Sequence, residues 1–223
     1  MPAEDYGEFL EASGKRHLEV VGGFHTRIDD KVPPGTRTVL LLGPLEPGFW
    51  KFVSAQIEFR DGAPDPLDRW SMRTIGELAE RTGSVAKFPF GGPPYHPFGE
   101  WALRTGRCWN SPIQFLVHDT SGLMISFRGA LCVPALLELP ATSEDSPCKR
   151  CTGQPCLDAC PVGALAFDLY DVDRCRKHIE DIRGQECLFQ GCKARRSCPL
   201  SKTHLRDSRQ SRLHQEAFLR GGY

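Results

Sequence analysis

The chain lacks an excess of either charge and lacks any long apolar run. Its 28 Lys and Arg residues are balanced by 28 Asp and Glu residues, so the overall charge indicates no particular class of partner. Charged or turn-forming residues interrupt every apolar run before it reaches the length of a membrane-spanning helix. The sequence therefore predicts a protein without a membrane partner.

Several catalytic and targeting motifs are also absent. There is no P-loop, no G-x-G-x-x-G after the first predicted strand, no H-E-x-x-H and no G-x-S-x-G. The segment from Met1 to Glu8 has neither the basic nor the apolar region of a secretion signal. We expect a cytoplasmic protein with reduced thiols, and the sequence identifies no catalytic residue.

Cysteine, by contrast, is concentrated in one region. Eight of the ten cysteines lie between residues 148 and 198, in two runs that each end in Cys-Pro. The first run is Cys148-Lys-Arg-Cys151-Thr-Gly-Gln-Pro-Cys156-Leu-Asp-Ala-Cys160-Pro161. The second is Cys187-Leu-Phe-Gln-Gly-Cys192-Lys-Ala-Arg-Arg-Ser-Cys198-Pro199, and Cys175 lies between them. This pattern resembles a ferredoxin-like module with two 4Fe-4S clusters, each of which needs four thiolates.

The ferredoxin resemblance implies a crossed set of ligands. In two-cluster ferredoxins the cysteine of each Cys-Pro ligates the other cluster. The resemblance therefore assigns Cys148, Cys151, Cys156 and Cys198 to the first cluster, and Cys160, Cys175, Cys187 and Cys192 to the second. Two departures are visible: four residues separate Cys151 from Cys156, and the second run has no C-x2-C, so Cys175 completes its set.

Structural zinc and disulfide bonds are the two alternative uses of these cysteines. Structural zinc usually pairs two C-x2-C knuckles over a defined gap and does not need the Cys-Pro endings. Disulfides need an oxidising compartment. Cys108 and Cys132 stand outside the runs and are interpreted as buried, inert thiols.

The C-terminal part of the chain is basic. From Cys187 to Tyr223 eight basic residues face two acidic ones, Asp207 and Glu216. Docking to an acidic electron donor or to RNA phosphates is one interpretation. Compensation of the negative charge of a cluster is the simpler one for Lys193, Arg195 and Arg196, and a nucleic-acid partner is not expected.

The composition divides the chain near residue 145, because residues 139–147 are polar, bounded by prolines and without periodicity. Residues 1–145 predict an α/β (α+β) domain with a mixed sheet, and residues 146–223 form the cysteine-rich module with a basic C-terminal helix over 206–220. Thr38 to Leu42 predicts a strand covered on both faces. Residues 66–82 predict a helix capped by Asp65 with Asp68 in a capping box, and residues 113–118 and 123–131 predict a hairpin around 119–122.

One loop of the first domain is a candidate cofactor contact. The segment Phe88-Pro-Phe-Gly91-Gly92-Pro-Pro-Tyr95-His96-Pro97 combines two adjacent glycines, which permit close approach of the backbone to a ligand, with aromatic faces. A rigid surface turn explains it almost as well. His96 is interpreted as a hydrogen-bonding surface residue rather than a metal ligand.

The order of the two parts resembles epoxyqueuosine reductase and the related reductive dehalogenases. The hairpin segment from Phe115 to Leu131 is similar to the corresponding stretch of CblC-type cobalamin-processing proteins. The resemblance implies a nitroreductase-like first domain that binds cobalamin, or alternatively FMN, and clusters that supply its electrons. By position, it marks the candidate cofactor contacts Gly91, Gly92, Tyr95, Ser126 and Arg128.

The same resemblance implies an oxidoreductase of the cobalamin-dependent iron–sulfur type, which reduces a small-molecule substrate or processes the corrinoid itself. An electron-donor protein of the flavodoxin or ferredoxin reductase type would serve it. Two alternatives stay open: a ferredoxin-type electron carrier without its own substrate, and a chaperone or nucleic-acid binder in which the clusters are structural.

Overall fold

A computed structural model describes residues 5–221 and divides the chain into two compact units. The first unit comprises Met1–Arg107 and Ser126–Glu144, and the second comprises Cys108–Ile125 and Asp145–Tyr223. Within residues 5–221, no helix has both the length and the apolar character that crossing a membrane would require.

Short strands and helices alternate along the chain. In chain order the strands are β1 (Leu18–His25), β2 (Thr38–Pro44), β3 (Val85–Lys87), β4 (Cys108–Asn110), β5 (Leu116–His118), β6 (Gly129–Val133), β7 (Leu165–Ala166) and β8 (Leu169–Tyr170). The helices are α1 (Tyr6–Gly14), α2 (Phe49–Val53), α3 (Pro66–Thr82), α4 (Phe98–Arg104), α5 (Val172–Glu180), α6 (Gln185–Gln190), α7 (Lys193–Ser197), α8 (Pro199–Thr203) and α9 (Ser208–Leu219). The chain is therefore an α/β protein in the broad sense.

A four-stranded sheet in the order β1-β2-β6-β3 forms the core of the first unit. All seven residues of β2 are buried, which agrees with the predicted strand covered on both faces. Helix α3 buries Leu67, Trp70, Ile75 and Leu78 on one side, as the helical spacing of these residues predicts. Gly83 ends the helix at φ +66°, a conformation that glycine adopts without a Cβ penalty.

The predicted mixed sheet is wrong, because β1 with β2, β2 with β6 and β3 with β6 all pair in antiparallel register. A continuous apolar run indicates that both faces of a strand are covered, but it does not indicate whether the strand pairs in parallel or antiparallel register. Asp65 occupies the N-cap position of α3 as predicted, but the predicted capping by its side chain is wrong. Asp65 has φ 49° and makes no side-chain cap hydrogen bond, while Asp68 pairs with Arg128 instead of completing a capping box.

The predicted hairpin between residues 113–118 and 123–131 is also wrong. Strand β5 pairs with β4, whereas β6 pairs with β2 and β3 in the first unit. The turn at residues 119–122 makes a single bridge between His118 and Gly122. The local turn signal was correct, but the partner of each strand was set by contacts distant in sequence.

The second unit consists of the β4–β5 and β7–β8 hairpins and the short helices α5 to α9. Its last segment begins at Asp145, close to the predicted boundary. Residues 108–125, however, belong to this unit rather than to the first domain. The reason is packing, since Ile113, Val117 and Leu123 share a buried cluster with Cys156 and Cys198. The predicted C-terminal helix corresponds to α9.

Candidate metal centre

The structure brings the eight clustered cysteines together as two groups of four. Group one contains Cys148, Cys151, Cys156 and Cys198, which line one cavity. Group two contains Cys160, Cys175, Cys187 and Cys192, whose thiols interact electrostatically around Cys175. Each group combines cysteines from both halves of the cysteine-rich region, in the crossed arrangement that the ferredoxin resemblance implies.

Group one is assembled by a 3-10 turn and the start of a helix. Cys148 lies in the turn Pro147–Arg150, where its N–H donates to the Ser146 hydroxyl at 3.3 Å. Cys198 precedes Pro199 at the N-cap of α8. Proline at the first helical position favours that start. The Cys-Pro sequence therefore places a thiol directly before the first turn of α8.

Thiol pKa values report the mutual proximity of group one. Burial raises the pKa of Cys156, and the neighbouring thiols Cys148, Cys198 and Cys151 raise it further. Burial also raises the pKa of Cys148, with contributions in the same direction from Cys198 and Cys151 and an opposing hydrogen bond from Ser146. Four thiolates in this space repel one another, and a bound cation or cationic cluster core relieves that repulsion.

The cavity of group one is much larger than a single ion. Its volume is about 360 Å³, equal to that of about a dozen water molecules at ~30 Å³ each. Apolar side chains from the β4–β5 hairpin region cover one side of it, including Pro112, Val117 and Leu123. The space therefore suits a multi-atom group that thiolates hold in apolar surroundings.

Group two surrounds the half-buried Cys175. Burial raises the pKa of Cys175 to about 12, and the thiols of Cys192, Cys160 and Cys187 raise it as well. Burial also raises the pKa of Cys187, while the backbone N–H of Lys193 bonds to its sulfur and lowers it. The pKa shifts of Cys175 therefore show that four cysteines separated in sequence, between residues 160 and 192, lie near one another.

Local sequence explains how group two is positioned. Asp171 caps α5 by accepting the N–H of Arg174 at 2.9 Å, which places Cys175 in the first turns of the helix. Gly191 ends α6 at φ +84° and packs against Ser211 of α9. Gln215 of α9 donates to the carbonyl of Cys187 at 3.2 Å. Helix α9 thus supports the turn that carries Cys187 and Cys192.

One hydrogen bond to a sulfur of group two comes from the segment between Cys160 and Cys175. The N–H of Ala164 donates to Cys160 Sγ at 3.2 Å, and the nearby hydroxyl of Tyr170 partly offsets the burial that raises the pKa of Cys175. The sequence prediction missed Tyr170 and Ala164. The only signal for them was their position in the short segment between Cys160 and Cys175.

A second missed feature is the docking of residues 122–125 onto the helices that follow group two. The N–H of Leu123 donates to the Ser201 hydroxyl at 2.9 Å. Arg195 donates to the carbonyls of Leu123 and Ile125, and Arg206 donates to that of Met124. Arg195 therefore contacts backbone carbonyls, a use that neither interpretation of the basic segment anticipated.

Most other cations of the basic segment also have neighbouring anions. Lys193 and Arg196 both pair with Glu186, at 2.6 and 2.8 Å. Arg209 pairs with Asp207 and Arg212 with Glu216. The local ion pairs reduce the positive field that an acidic partner or RNA would meet.

The candidate cofactor contacts of the first unit fall into two places. Gly91 (φ +81°) and Gly92 lie in one loop with Tyr95, whose ring is 63% exposed, and a Cβ at Gly92 would meet that ring at 2.7 Å. Ser126 and Arg128 lie in the segment directly before β6. Arg128 is 8% exposed and pairs with Asp68 at 3.2 Å, so its charge is already matched within the unit.

The three remaining residues singled out from the sequence lie in packed surroundings. His96 stacks on Trp101 with ring centroids 5.8 Å apart, and burial lowers its pKa. Cys108 and Cys132 are both 2% exposed and belong to neither cysteine group. Burial raises the pKa of Cys132 to about 11, which makes its thiol a poor nucleophile.

Among residues 5–221, no set of three or more His, Cys, Asp or Glu side chains is arranged so that it could hold a metal ion. Comparison with protein-family models, with curated proteins and with solved structures found no match to this chain.

Proposed function

We propose that the second unit binds two 4Fe-4S clusters, one in each cysteine group, and that the protein transfers electrons. The observation that carries this proposal is the crossed grouping of the eight thiols. Cys198 of the second run lies in group one, and Cys160 of the first run lies in group two with Cys175. Such an exchange is characteristic of two-cluster ferredoxins, and two separate zinc knuckles have no need of it.

We infer that each group holds a cubane rather than a single zinc ion. A tetrahedral zinc site with Zn–S bonds of 2.3 Å brings its sulfurs within about 3.8 Å of one another. A cubane of four irons and four sulfides separates its ligands farther, so the two groups need not meet the spacing of a single-ion site. The cavity of about 360 Å³ beside group one favours a cubane over a single zinc ion.

The chain's own residues would bind and shield the two clusters. The thiolates would supply four ligands to each cluster, and the clusters, when bound, would supply one-electron transfer. Cys156, Cys187 and Cys198 are 7%, 6% and 9% exposed, so water reaches their sulfurs poorly. Low solvent exposure and hydrogen bonds to sulfur are two of the means by which a protein adjusts cluster potential.

We further propose that the first unit holds the electron acceptor, a corrinoid or alternatively FMN. This finer proposal depends on the resemblance to reductive dehalogenases and on the exposed ring of Tyr95 beside Gly91 and Gly92. The Arg128–Asp68 pair makes Arg128 the weakest of the candidate contacts. A flavodoxin or ferredoxin reductase type of protein would supply the electrons.

Anaerobic purification followed by iron analysis tests the cluster proposal. We expect a brown protein with about eight irons per chain, a broad visible absorption that bleaches on reduction, and low-temperature EPR signals of reduced cubanes. The Cys108→Ala protein is the matched control, because Cys108 is buried in the same unit but belongs to neither group. A colourless protein that carries zinc would refute the proposal.

Titration with hydroxocobalamin and with FMN tests the acceptor. We expect one of them to bind with a shifted visible spectrum, and Tyr95→Ala to weaken that binding. If neither ligand binds to protein that contains both clusters, an electron carrier without its own substrate becomes the better explanation.

A further inference from the structure

A charged surface groove lies beside two cysteines of group two. Its volume is about 850 Å³, and all of its lining residues belong to the second unit. Pro161, which directly follows Cys160, and Arg174, which directly precedes Cys175, both line it. A molecule bound in this groove would therefore lie next to the cluster that we propose for group two.

The charges that this groove presents to solvent are mainly positive. The side chain of Arg174 is 55% exposed and that of Arg183 is 82% exposed. Asp171 and Asp181, the carboxylates with which they pair, are less exposed, at 35% and 36%. A protein that approaches the groove would therefore meet the two guanidinium groups before it meets the carboxylates.

Lys177 adds a third exposed cation to the groove. It follows Arg174 by three residues on α5, and residues at this spacing share one face of a helix. Among the lining residues that the structure describes, Asp173 is the exposed carboxylate, and Glu180, the other exposed carboxylate of α5, lies outside the groove. Three exposed cations beside one exposed carboxylate favour a partner with an acidic surface.

The groove also offers an apolar contact. Ile182 is 78% exposed and lies in the chain between Asp181 and Arg183, which both line the groove. Transient protein interfaces combine such apolar contacts with a polar, charged rim. Pockets for small molecules are lined mainly by apolar side chains, whereas this lining is mainly charged. The composition of the groove therefore favours a protein partner over a small molecule.

We propose that this groove is the docking site of an electron-donor protein with an acidic contact surface. The inference rests on the proposed function, since it presupposes a cluster at Cys160 and Cys175. One electron passes from the docked donor to the cluster of group two, so the donor is oxidised and the cluster is reduced, while no bond breaks and no proton moves. The acidic partner is thereby assigned to α5 and the 3-10 turn Ile182–Gly184, and not to the basic C-terminal segment.

Anaerobic stopped-flow reduction by an acidic flavodoxin in its reduced form tests the proposal. The Lys177→Glu/Arg183→Glu protein, with its iron content unchanged, should react about tenfold more slowly than the wild type at low ionic strength, because the reversed charges repel the donor. The difference should shrink at 1 M salt, where the screening length is about 3 Å. Ile182→Ala should weaken the complex without changing the salt dependence of the rate.

Two controls separate docking from a general effect of charge. Lys202→Glu/Arg209→Glu makes the same change in net charge at exposed residues of the same unit outside the groove. Arg209 bonds to Asp207 through the same backbone and side-chain groups that join Arg183 to Asp181. This control protein should react with flavodoxin as the wild type does. Reduced methyl viologen, a small cationic donor, should reduce both double variants at least as fast as the wild type.

The inference is overturned if flavodoxin reduces the two double variants at the same rate, or if Lys177→Glu/Arg183→Glu slows flavodoxin and methyl viologen alike. A wild-type dimer that this variant converts to monomers would also overturn it, because a second copy of the chain would then occupy the groove. Wild-type protein that methyl viologen reduces but flavodoxin does not would contradict the inference alone. Wild-type protein that binds no cluster would instead contradict the proposed function itself.

Discussion

The two units are stabilised by different kinds of side chain. In the first unit, β2 and β6 bury aliphatic residues such as Leu40, Leu41 and Leu131 completely. In the second, one buried cluster combines Cys156 and Cys198 with aliphatic residues such as Leu123. Apolar burial alone suffices for the first kind of core, whereas the second kind also contains thiols beside its aliphatic side chains.

Short helices are more frequent in the second unit. The first unit has one five-residue helix, α2, beside the 17-residue α3, whereas α6, α7 and α8 of the second have five or six residues each. Helices of that length are unstable alone and depend on tertiary contacts. The comparison teaches that the second unit needs an additional source of stability, and metal binding by the two thiol groups would supply it.

Loss of the proposed clusters should have the largest effect on stability, and it should affect the second unit only. Because metal binding and folding are coupled in small metal-dependent modules, we expect Cys151→Ala, or chelation of iron from the wild type, to unfold much of the second unit. The sheet of the first unit should survive. Hydrogen exchange followed by mass spectrometry measures both units in one sample, and protection should be lost in residues 145–221 but not in β2.

Two results would contradict that expectation. Simultaneous loss of protection in β2 would show that the units are not independent, and full protection in the metal-free protein would show that the second unit folds without metal. Cys108→Ala is the control for losing a thiol from this unit. Retention of both clusters by Cys160→Ala would show that the crossed ligand assignment is wrong.

A core substitution in the first unit should have the converse effect. Leu41→Ala deletes a side chain that is 0% exposed in the centre of the sheet, and such changes cost about 2–5 kcal/mol of unfolding free energy. We expect urea unfolding of the first unit at a lower midpoint, with the iron content unchanged. The exposed residue Leu103 in α4, at 40% exposure, provides the control substitution Leu103→Ala, and a loss of iron in Leu41→Ala would contradict the division into two units.

Features set by local spacing were predictable from the sequence. The buried stripe of α3, its end after residue 82 and the burial of Thr38 to Leu42 all follow from periodicity or from end signals. The grouping of the cysteines followed from the resemblance to ferredoxins, because the Cys-Pro endings are specific to that arrangement.

Features set by distant contacts were not predictable. Nothing in the segment around Gly129 indicates that β6 pairs with β2, 87 residues away from Gly129 at Leu42. The proximity of Tyr170 to Cys175 depends on the β7–β8 hairpin, whose two-residue strands are too short to give a periodic signal. Asp68 satisfied a local capping pattern but pairs with Arg128, 60 residues away, since a buried cation competes strongly for a carboxylate.

The docked loop of the second unit should be sensitive to a single methyl group. Gly122 has φ +57°, and a Cβ there would meet the backbone nitrogen of Ser201 at 2.6 Å. Gly122→Ala therefore adds both backbone strain and a clash with α8, which begins directly after Cys198. We expect a loss of about 1–3 kcal/mol of stability and faster loss of group-one metal to a chelator. Gly163→Ala, at a similar φ of +61° but with open space around the Cβ, is the matched control; equal chelation rates in the two variants would exclude the clash as the cause.

The smallest expected effect concerns the pH dependence of the second unit. Burial, followed by the neighbouring Arg206, His118 and Arg195, lowers the pKa of His204 to about 4. In the unfolded chain a histidine takes up a proton near pH 6.5, so between about pH 6.5 and 4 the unfolded state binds more protons than the folded one. Stability should therefore fall as the pH is lowered through that range.

Partial exposure of His204 limits the size of this effect to about 1 kcal/mol. We expect His204→Gln to lose less stability than the wild type between pH 8 and pH 5, measured by urea denaturation of the second unit. At pH 8 the imidazole is neutral in both states, so the difference there gives the cost of the substitution itself. Parallel losses in the two proteins would show that His204 is not the group responsible.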